Sequence, residues 1–299
     1  MAPASAARES RHLANTGSVV PPAPALDSPE FGLALGLVVG RFMLGMEDLH
    51  YGFWPGGLAV TPLNLPTAQA RYTEELIGDI PQGVRSILDV GCGAGKTAEV
   101  LLDRGYSVEG VSPNAWLTAE ARRRLGARAV VHQSRFEELT VSGPYDLLLF
   151  SESLLFMGAP RALARAAALT EPGGYLLVAD VFRRTGSGKG PIGGGQDWSR
   201  FEAVMAQSPF DLVRETDITA FIAPTFDLVN RGSLEMIRPA YDLIMARLTA
   251  RHPWLMRIAR WRFRKSLARY QGKHFSGQRD GAHFARHKSY RRLLYRRRQ

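Results

Sequence analysis

The sequence predicts a doubly wound α/β sheet, and three observations carry that prediction. Between residues 86 and 182, short apolar runs alternate with helical patterns, as parallel strands and their crossover helices do. The first run ends in a turn with glycine at 91, 93 and 95, which opens directly into a helical pattern. Each run is about the five to six residues usual for a strand. The strands are placed at Ser86–Val90, Ser107–Val111, Arg128–His132, Asp146–Ser151 and Tyr175–Asp180. Helices are placed at Lys96–Arg104, Ala115–Leu125 and Pro160–Leu169, and Pro160 suits a first helical turn, where its missing N–H is not needed. Two further strands follow, near Phe210–Asp217 and Tyr290–Tyr295. A ligand of such a sheet sits outside the carboxyl ends of its strands.

The chain of 299 residues can hold one large core with appendages. Residues 1–29, rich in Ala, Pro and Ser without periodicity, read as a disordered tail. Residues 30–80 combine an apolar stretch, an aromatic and turn-rich segment from Glu47 to Gly57, and a helical run from Thr67 to Asp79; they read as a lid on a core of residues 81–218. Residues 219–287 read as a basic helical insertion, and 288–299 as the final core strand with a basic tail. Six of the ten residues in 186–195 are glycine, which suits a mobile loop. Lys189 within it lacks the following Ser or Thr of a phosphate loop.

Cys92 is the single cysteine, which excludes a disulfide framework and a cysteine-only zinc cluster; no metal is expected. No apolar run approaches the ~20 residues needed to span a bilayer. The nearest, Phe31 to Gly40, is followed by Arg41. Nothing at the start resembles an export signal, so a cytoplasmic protein is expected. The net charge of +10 is uneven: residues 239–299 hold 17 Lys and Arg against two acids, Asp242 and Asp280. A basic final fifth on a mildly acidic body suits an anionic partner, or serves solubility alone.

The chemistry lies in the first strand and its turn, Ile87-Leu-Asp-Val-Gly-Cys-Gly-Ala-Gly95, followed by Lys96-Thr97. A phosphate loop requires a first glycine where Val90 stands, so that match fails. A dinucleotide fingerprint counted from Gly91 puts Lys96 at its last glycine and fails too. Asp89 disfavours phosphate, because a carboxylate beside the turn repels an anion, but it suits a cationic ligand such as an adenosyl sulfonium with an ammonium group.

With these residues the sequence resembles the class I S-adenosylmethionine-dependent methyltransferases, whose first motif looks like LDVGCGxG. Gly143-Pro-Tyr-Asp-Leu-Leu-Leu-Phe-Ser-Glu152 resembles that family's fourth strand, and Glu171-Pro-Gly-Gly-Tyr-Leu-Leu-Val its turn into the fifth. The resemblance runs from about residue 45 to 297. It implies a Rossmann-like, seven-stranded sheet in the order 3-2-1-4-5-7-6 with the last strand antiparallel, a helical substrate cap, and S-adenosyl-L-methionine as cofactor. It implies a cofactor site at Asp89, Gly91, Cys92, Gly93 and Gly95, with Ser112, Asn114, Arg135, Phe136 and Ser151 around it. Ser112 stands where the family usually has an acid for the ribose hydroxyls, and Phe156 where a His is frequent. Phe136 would then offer apolar contact to the purine.

The segment His50-Tyr51-Gly-Phe-Trp54-Pro, with Tyr72 further on, resembles the entry segment of the small-molecule subset of that family, acting on sterols, tocopherol-like phenols and natural products. It implies that Tyr51, Trp54 and Tyr72 shield the sulfonium and that His50 or Tyr51 serves as base or orienting group. Aromatic faces favour a cation. The alternative is that these rings anchor a loop to the core. The implied reaction is direct in-line displacement of the methyl by a small-molecule nucleophile, with the O-, N- or C-acceptor undetermined.

Trp254 to Tyr270 is the most unusual stretch. Leu255, Met256, Ala259, Phe263, Leu267 and Tyr270 form one helical stripe, while Arg257, Arg260, Arg262, Arg264, Lys265 and Arg269 lie outside it. A helix packed on the sheet with both Trp rings covered is expected; an anionic membrane surface or a nucleic acid is the alternative for residues 254–270. Methylation of nucleic-acid base amino groups is disfavoured, because Ser151-Glu152-Ser153 replaces the Asn/Asp-Pro-Pro-aromatic set that grips a flipped base. A non-catalytic binding protein of the same fold is the third class.

Overall fold

The computed structural model describes residues 29–141, 143–188 and 190–299, so the tail expected at 1–29 and Lys189 lie almost wholly outside the described residues. Helices α1 (Pro29–Leu44) and α2 (Leu65–Ile77) flank the aromatic segment. The core alternates β1 (Ser86–Val90), α3 (Lys96–Asp103), β2 (Ser107–Ser112), α4 (Ala115–Leu125), β3 (Val130–Gln133), β4 (Tyr145–Ser151), α5 (Ala159–Leu169) and β5 (Thr170–Arg183). Then come β6 (Gln196–Asp197), α6 (Trp198–Ala206), β7 (Phe210–Asp217), α7 (Thr219–Gly232), α8 (Arg238–Arg251), α9 (Pro253–His274), α10 (Gly281–His287) and β8 (Lys288–Arg297).

The sheet runs β3-β2-β1-β4-β5-β8-β7, with the two-residue β6 beside β5. Apart from β6, this is the predicted order, and β8 is antiparallel to both its neighbours. Leu88, Val90, Leu148 and Phe150 point into one core layer, while Ile87, Leu147 and Leu149 point into the other. Both faces of these strands are therefore covered, as continuous apolar runs require. The register of β8 against β5 sets Tyr290 opposite Val181, which brings a residue near the end of the chain to the carboxyl tip of the sheet.

One expectation is overturned. The 254–270 helix does not pack on the sheet. It folds back antiparallel on α8, with Gln271 reaching Tyr241 and Arg260 reaching Thr249. Met256, Ala259 and Leu267 are half-buried, Leu255, Phe263 and Tyr270 stay exposed, and the Trp254 and Trp261 rings are 65% and 67% exposed. A stripe fixes which residues share a face, and here a neighbouring helix narrower than a sheet covers only part of it.

Candidate active site

The candidate residues converge where the carboxyl ends of β1, β2, β4 and β5 meet the start of β8, the place at which a sheet of this type forms its ligand crevice. Gly91, Gly93 and Gly95 all adopt positive φ (+82°, +53° and +81°), a region costly for residues with a Cβ. A Cβ at Gly91 would stand 2.4 Å from that of Ser153, and one at Gly95 3.1 Å from Ala121 of α4. Tight apposition of turn, strand tip and helix therefore demands glycine. Val111 accepts hydrogen bonds from the Gly91 and Cys92 N–H groups, and the described hydrogen bonds leave those of Gly93 and Ala94 unused. Cys92 is buried against Gly110, and burial holds its thiol well above the usual range, so it is no nucleophile. Lys96 is tied to Glu47 and Glu99 at 3.0 and 2.9 Å, which removes it as a phosphate ligand.

Asp89 is 2% exposed, and its Oδ2 has no hydrogen-bond partner. Burial lifts its pKa to about 7, against a small opposing pull from His50. At the neighbouring strand tip, Asn114 caps α4 by accepting from the Leu117 N–H at 3.0 Å, while its own buried Nδ2 has no partner. Ser112 is buried beside it, its Oγ accepting from the Asn114 N–H at 3.4 Å. An unpaired buried carboxylate and an unpaired amide, on adjacent strand tips beside open backbone N–H groups, suit a ligand with a cationic end and hydroxyl groups. Arg135 is exposed nearby. Phe136 is 1% exposed, its ring edge-on to Phe150 in the core, so it shapes the crevice from behind rather than lining it.

At the other end of the crevice the polar groups are bonded to one another. Glu152, immediately after β4, is the one non-glycine residue with positive φ among the described residues, at +53°. Its Oε1 accepts from the Tyr51 N–H and the Tyr290 hydroxyl, both at 2.9 Å. Tyr290 and Tyr72 share a 2.7 Å bond, and Ser151 reaches Tyr72 at 3.1 Å. Burial lifts Glu152 to about 7, and Asp180, which accepts from the Leu155 and Val181 N–H groups, to about 8. Backbone held in the left-handed region by such a network is a mark of a functional site.

His50 is not free to act as a base. Its Nδ1 bonds the Tyr51 carbonyl at 2.9 Å, and its Nε2 meets Thr73 at 3.1 Å and Asp48 at 3.2 Å. Burial opposes its charge, but Asp48, Glu152 and the Tyr51 carbonyl together raise its pKa. The ring lies against that of Tyr72, tilted by 32° with centroids 4.3 Å apart, and its bonds to Tyr51 and Thr73 hold this corner together. Tyr51 is half-buried between Phe226 of α7 and Tyr290, at 4.8 and 6.3 Å. Trp54 is an anchor: buried, it donates from Nε1 to Thr225 of α7 at 2.8 Å. Phe156, in the place of a frequent His, is exposed.

Residues 64–276 match the sequence profile of a methyltransferase domain. The chain belongs to the methyltransferase family. Ubiquinone biosynthesis O-methyltransferases from Bordetella avium and Sodalis glossinidius are 32% identical over 131 residues and 33% identical over 147. These alignments cover 42% and 47% of this methyltransferase-family chain, and 52% and 55% of those enzymes. The chain thus spans about half the length of the curated relatives it matches. Among solved structures, geranyl diphosphate C-methyltransferase from Streptomyces coelicolor, in complex with Mg2+, geranyl diphosphate and S-adenosyl-L-homocysteine, superposes with a TM-score of 0.66. It covers 92% of this chain and 100% of its own, at 14% identity. The cyclase SpnF superposes at 0.64 over 92% and 98%, at 18% identity. At such identities the likeness is one of fold.

Glu152, Asp180 and Tyr290 join this candidate site without being singled out by the sequence. Position at a strand tip was the available signal for the two acids. Tyr290 carried none, because only the β5–β8 register delivers it.

Proposed function

We propose that this chain is an S-adenosyl-L-methionine-dependent methyltransferase acting on a small molecule by direct in-line transfer. The observation that carries the reading is the buried Asp89 carboxylate with an unpaired Oδ2, beside a turn in which the Gly93 and Ala94 N–H groups are unused by the described hydrogen bonds. The methyltransferase profile and the methyltransferases among the relatives support it. When bound, the cofactor supplies a methyl group on a sulfonium and carries an ammonium.

Asp89 and the Gly91–Gly95 turn would hold its methionine end, and a cation there would restore the Asp89 charge that burial suppresses. Ser112 and Asn114 would take the ribose hydroxyls as neutral partners. Tyr51, clasped by Phe226 and Tyr290, closes the acceptor end and excludes water, while His50 and Tyr72 keep it in place. Holding the acceptor in line can supply up to ~7–11 kcal/mol of the barrier reduction. A proton shed by the acceptor passes to Glu152, whose Oε2 is used by none of the described hydrogen bonds and whose pKa of about 7 suits a base.

Calorimetry with S-adenosyl-L-methionine and S-adenosyl-L-homocysteine on wild type and Asp89→Ala tests the cofactor site. Binding to wild type and its loss in the variant are expected. Folded wild type that binds neither compound would sink the proposal. A screen of phenols, amines and prenyl-type acceptors with labelled methyl then identifies the substrate.

A further inference from the structure

The α8–α9 hairpin is the part of the molecule that the crevice does not use. Neither helix has a fully buried residue, and their main packing partners are each other and the turn that leads into α8. Residues 238–274 carry ten Lys and Arg against one acid, Asp242. A soluble helix hairpin ordinarily keeps its large apolar side chains on the shared face. This one does not.

On α9, steps of four, three and four residues place Trp254, Ile258, Trp261 and Lys265 along one line. That line runs opposite Met256, Ala259 and Leu267, which face α8. Trp254, Ile258 and Trp261 are all exposed, and Arg257, Arg262 and Arg269 flank them. The outer face of α8 repeats the arrangement, with exposed Leu243 and Ile244 beside Arg247 and Arg251.

We infer that the α8–α9 hairpin docks the protein onto an anionic lipid bilayer, with Trp254, Ile258 and Trp261 entering the headgroup region and the surrounding arginines meeting lipid phosphates. Three observations select this occupant. Among the described residues no helix is long and apolar enough to cross a membrane, so the hairpin lies on a surface and does not span it. Tryptophans among long basic side chains fit the interface, where rings sit at headgroup level and Arg stems cover apolar surface while their charge reaches water. A second copy of this face would bring like charge against like charge. A nucleic acid would satisfy the arginines but leave the Trp-Ile-Trp line wet.

Co-sedimentation of the full chain with vesicles tests the inference, using phosphatidylcholine alone or with about one third phosphatidylglycerol, at about 0.1 M salt. Binding to the anionic vesicles only is expected, with a blue shift of tryptophan emission. W254A/W261A removes the shift and weakens binding at least about tenfold, with circular dichroism unchanged. R262Q/R269Q weakens binding about fivefold per charge removed, and carries the test if the tryptophan variant does not fold. Failure of the wild type to bind anionic vesicles overturns the inference. So does binding untouched by either variant, a dimer in which both rings are already buried without lipid, or preference for duplex RNA when RNA and vesicles compete. None of these readouts requires methyl transfer, so they stand or fall apart from the proposed reaction.

Discussion

At the tips of β1 and β2 the polar groups lack partners, whereas at the tips of β4, β5 and β8 they are bonded to one another. Asp89 Oδ2 and Asn114 Nδ2 are buried and alone. Glu152, Tyr290, Tyr72 and Ser151 form a continuous chain of hydrogen bonds. Both ends are buried and both hold carboxylates with raised pKa, so burial alone does not distinguish them. On the proposed reading, the contrast separates groups that a ligand would satisfy from groups that already hold one another in place. An unsatisfied buried polar group costs free energy that only binding can return.

The largest effect is expected where the two ends touch. Gly91→Ala forces a Cβ into Ser153 at positive φ and should cost about 3–4 kcal/mol in chemical denaturation. A stable, fully binding G91A protein would show that the turn relaxes and that the apposition is not required.

The next pair tests the contrast directly. Asp89→Ala should weaken cofactor binding about 100-fold while leaving the ligand-free protein as stable as wild type, or more so. Glu152→Ala should instead destabilise the ligand-free protein by about 2–3 kcal/mol, because the Tyr51 N–H and Tyr290 hydroxyl lose their acceptor. Equal stability losses in both variants would erase the distinction.

Protonation sharpens it further. Asp89 and Glu152 rise to about 7 and Asp180 to about 8, from ordinary values of 3.8, 4.5 and 3.8. Raised acids stabilise the fold fully below their unfolded pKa, and that contribution disappears as pH climbs through the folded value. His50, also raised, acts in the same direction. The ligand-free melting temperature should therefore fall between about pH 5 and pH 8.5, and Asp89→Asn should flatten part of the slope. The smallest effect belongs to Tyr290→Phe, which removes one hydroxyl from that chain and should cost about 1 kcal/mol by the same denaturation.

Much of this fold was legible in the sequence. The Ser86–Val90 and Phe210–Asp217 strands and the Ala115–Leu125 helix form where period and capping place them. The third strand starts at Val130 and not at Arg128, because Gly126 to Arg128 close a short helical turn first. β5 extends to Thr170 because that residue pairs with Tyr145, a contact between distant segments that no local pattern announces. The site divides the same way. Asp89 and its glycines are contiguous and readable, while the Glu152–Tyr290–Tyr72 chain draws on three separate elements. His50 is conspicuous in the sequence as a candidate base, but the partners that occupy both its nitrogens come from Asp48, Tyr51 and the α2 residue Thr73, which no local pattern announces. The helix stripe at 254–270 named a face without naming what it faces.

From Thr219 to Arg251 the backbone is helical without a break, α7 passing into α8 through a π turn at Ser233–Ile237. Such a run is a rod on the order of 50 Å long. Thr225 and Phe226, near one end, latch Trp54 and Tyr51, and the basic hairpin begins at the other. The Trp54 and Tyr51 contacts and the hairpin thus share one rod. Regular bonding lapses at Pro224, which has no N–H to give, and at the π turn. Of the two, only the π turn stands between the hairpin and the Thr225 and Phe226 contacts, so a bend there would uncouple one end of the rod from the other.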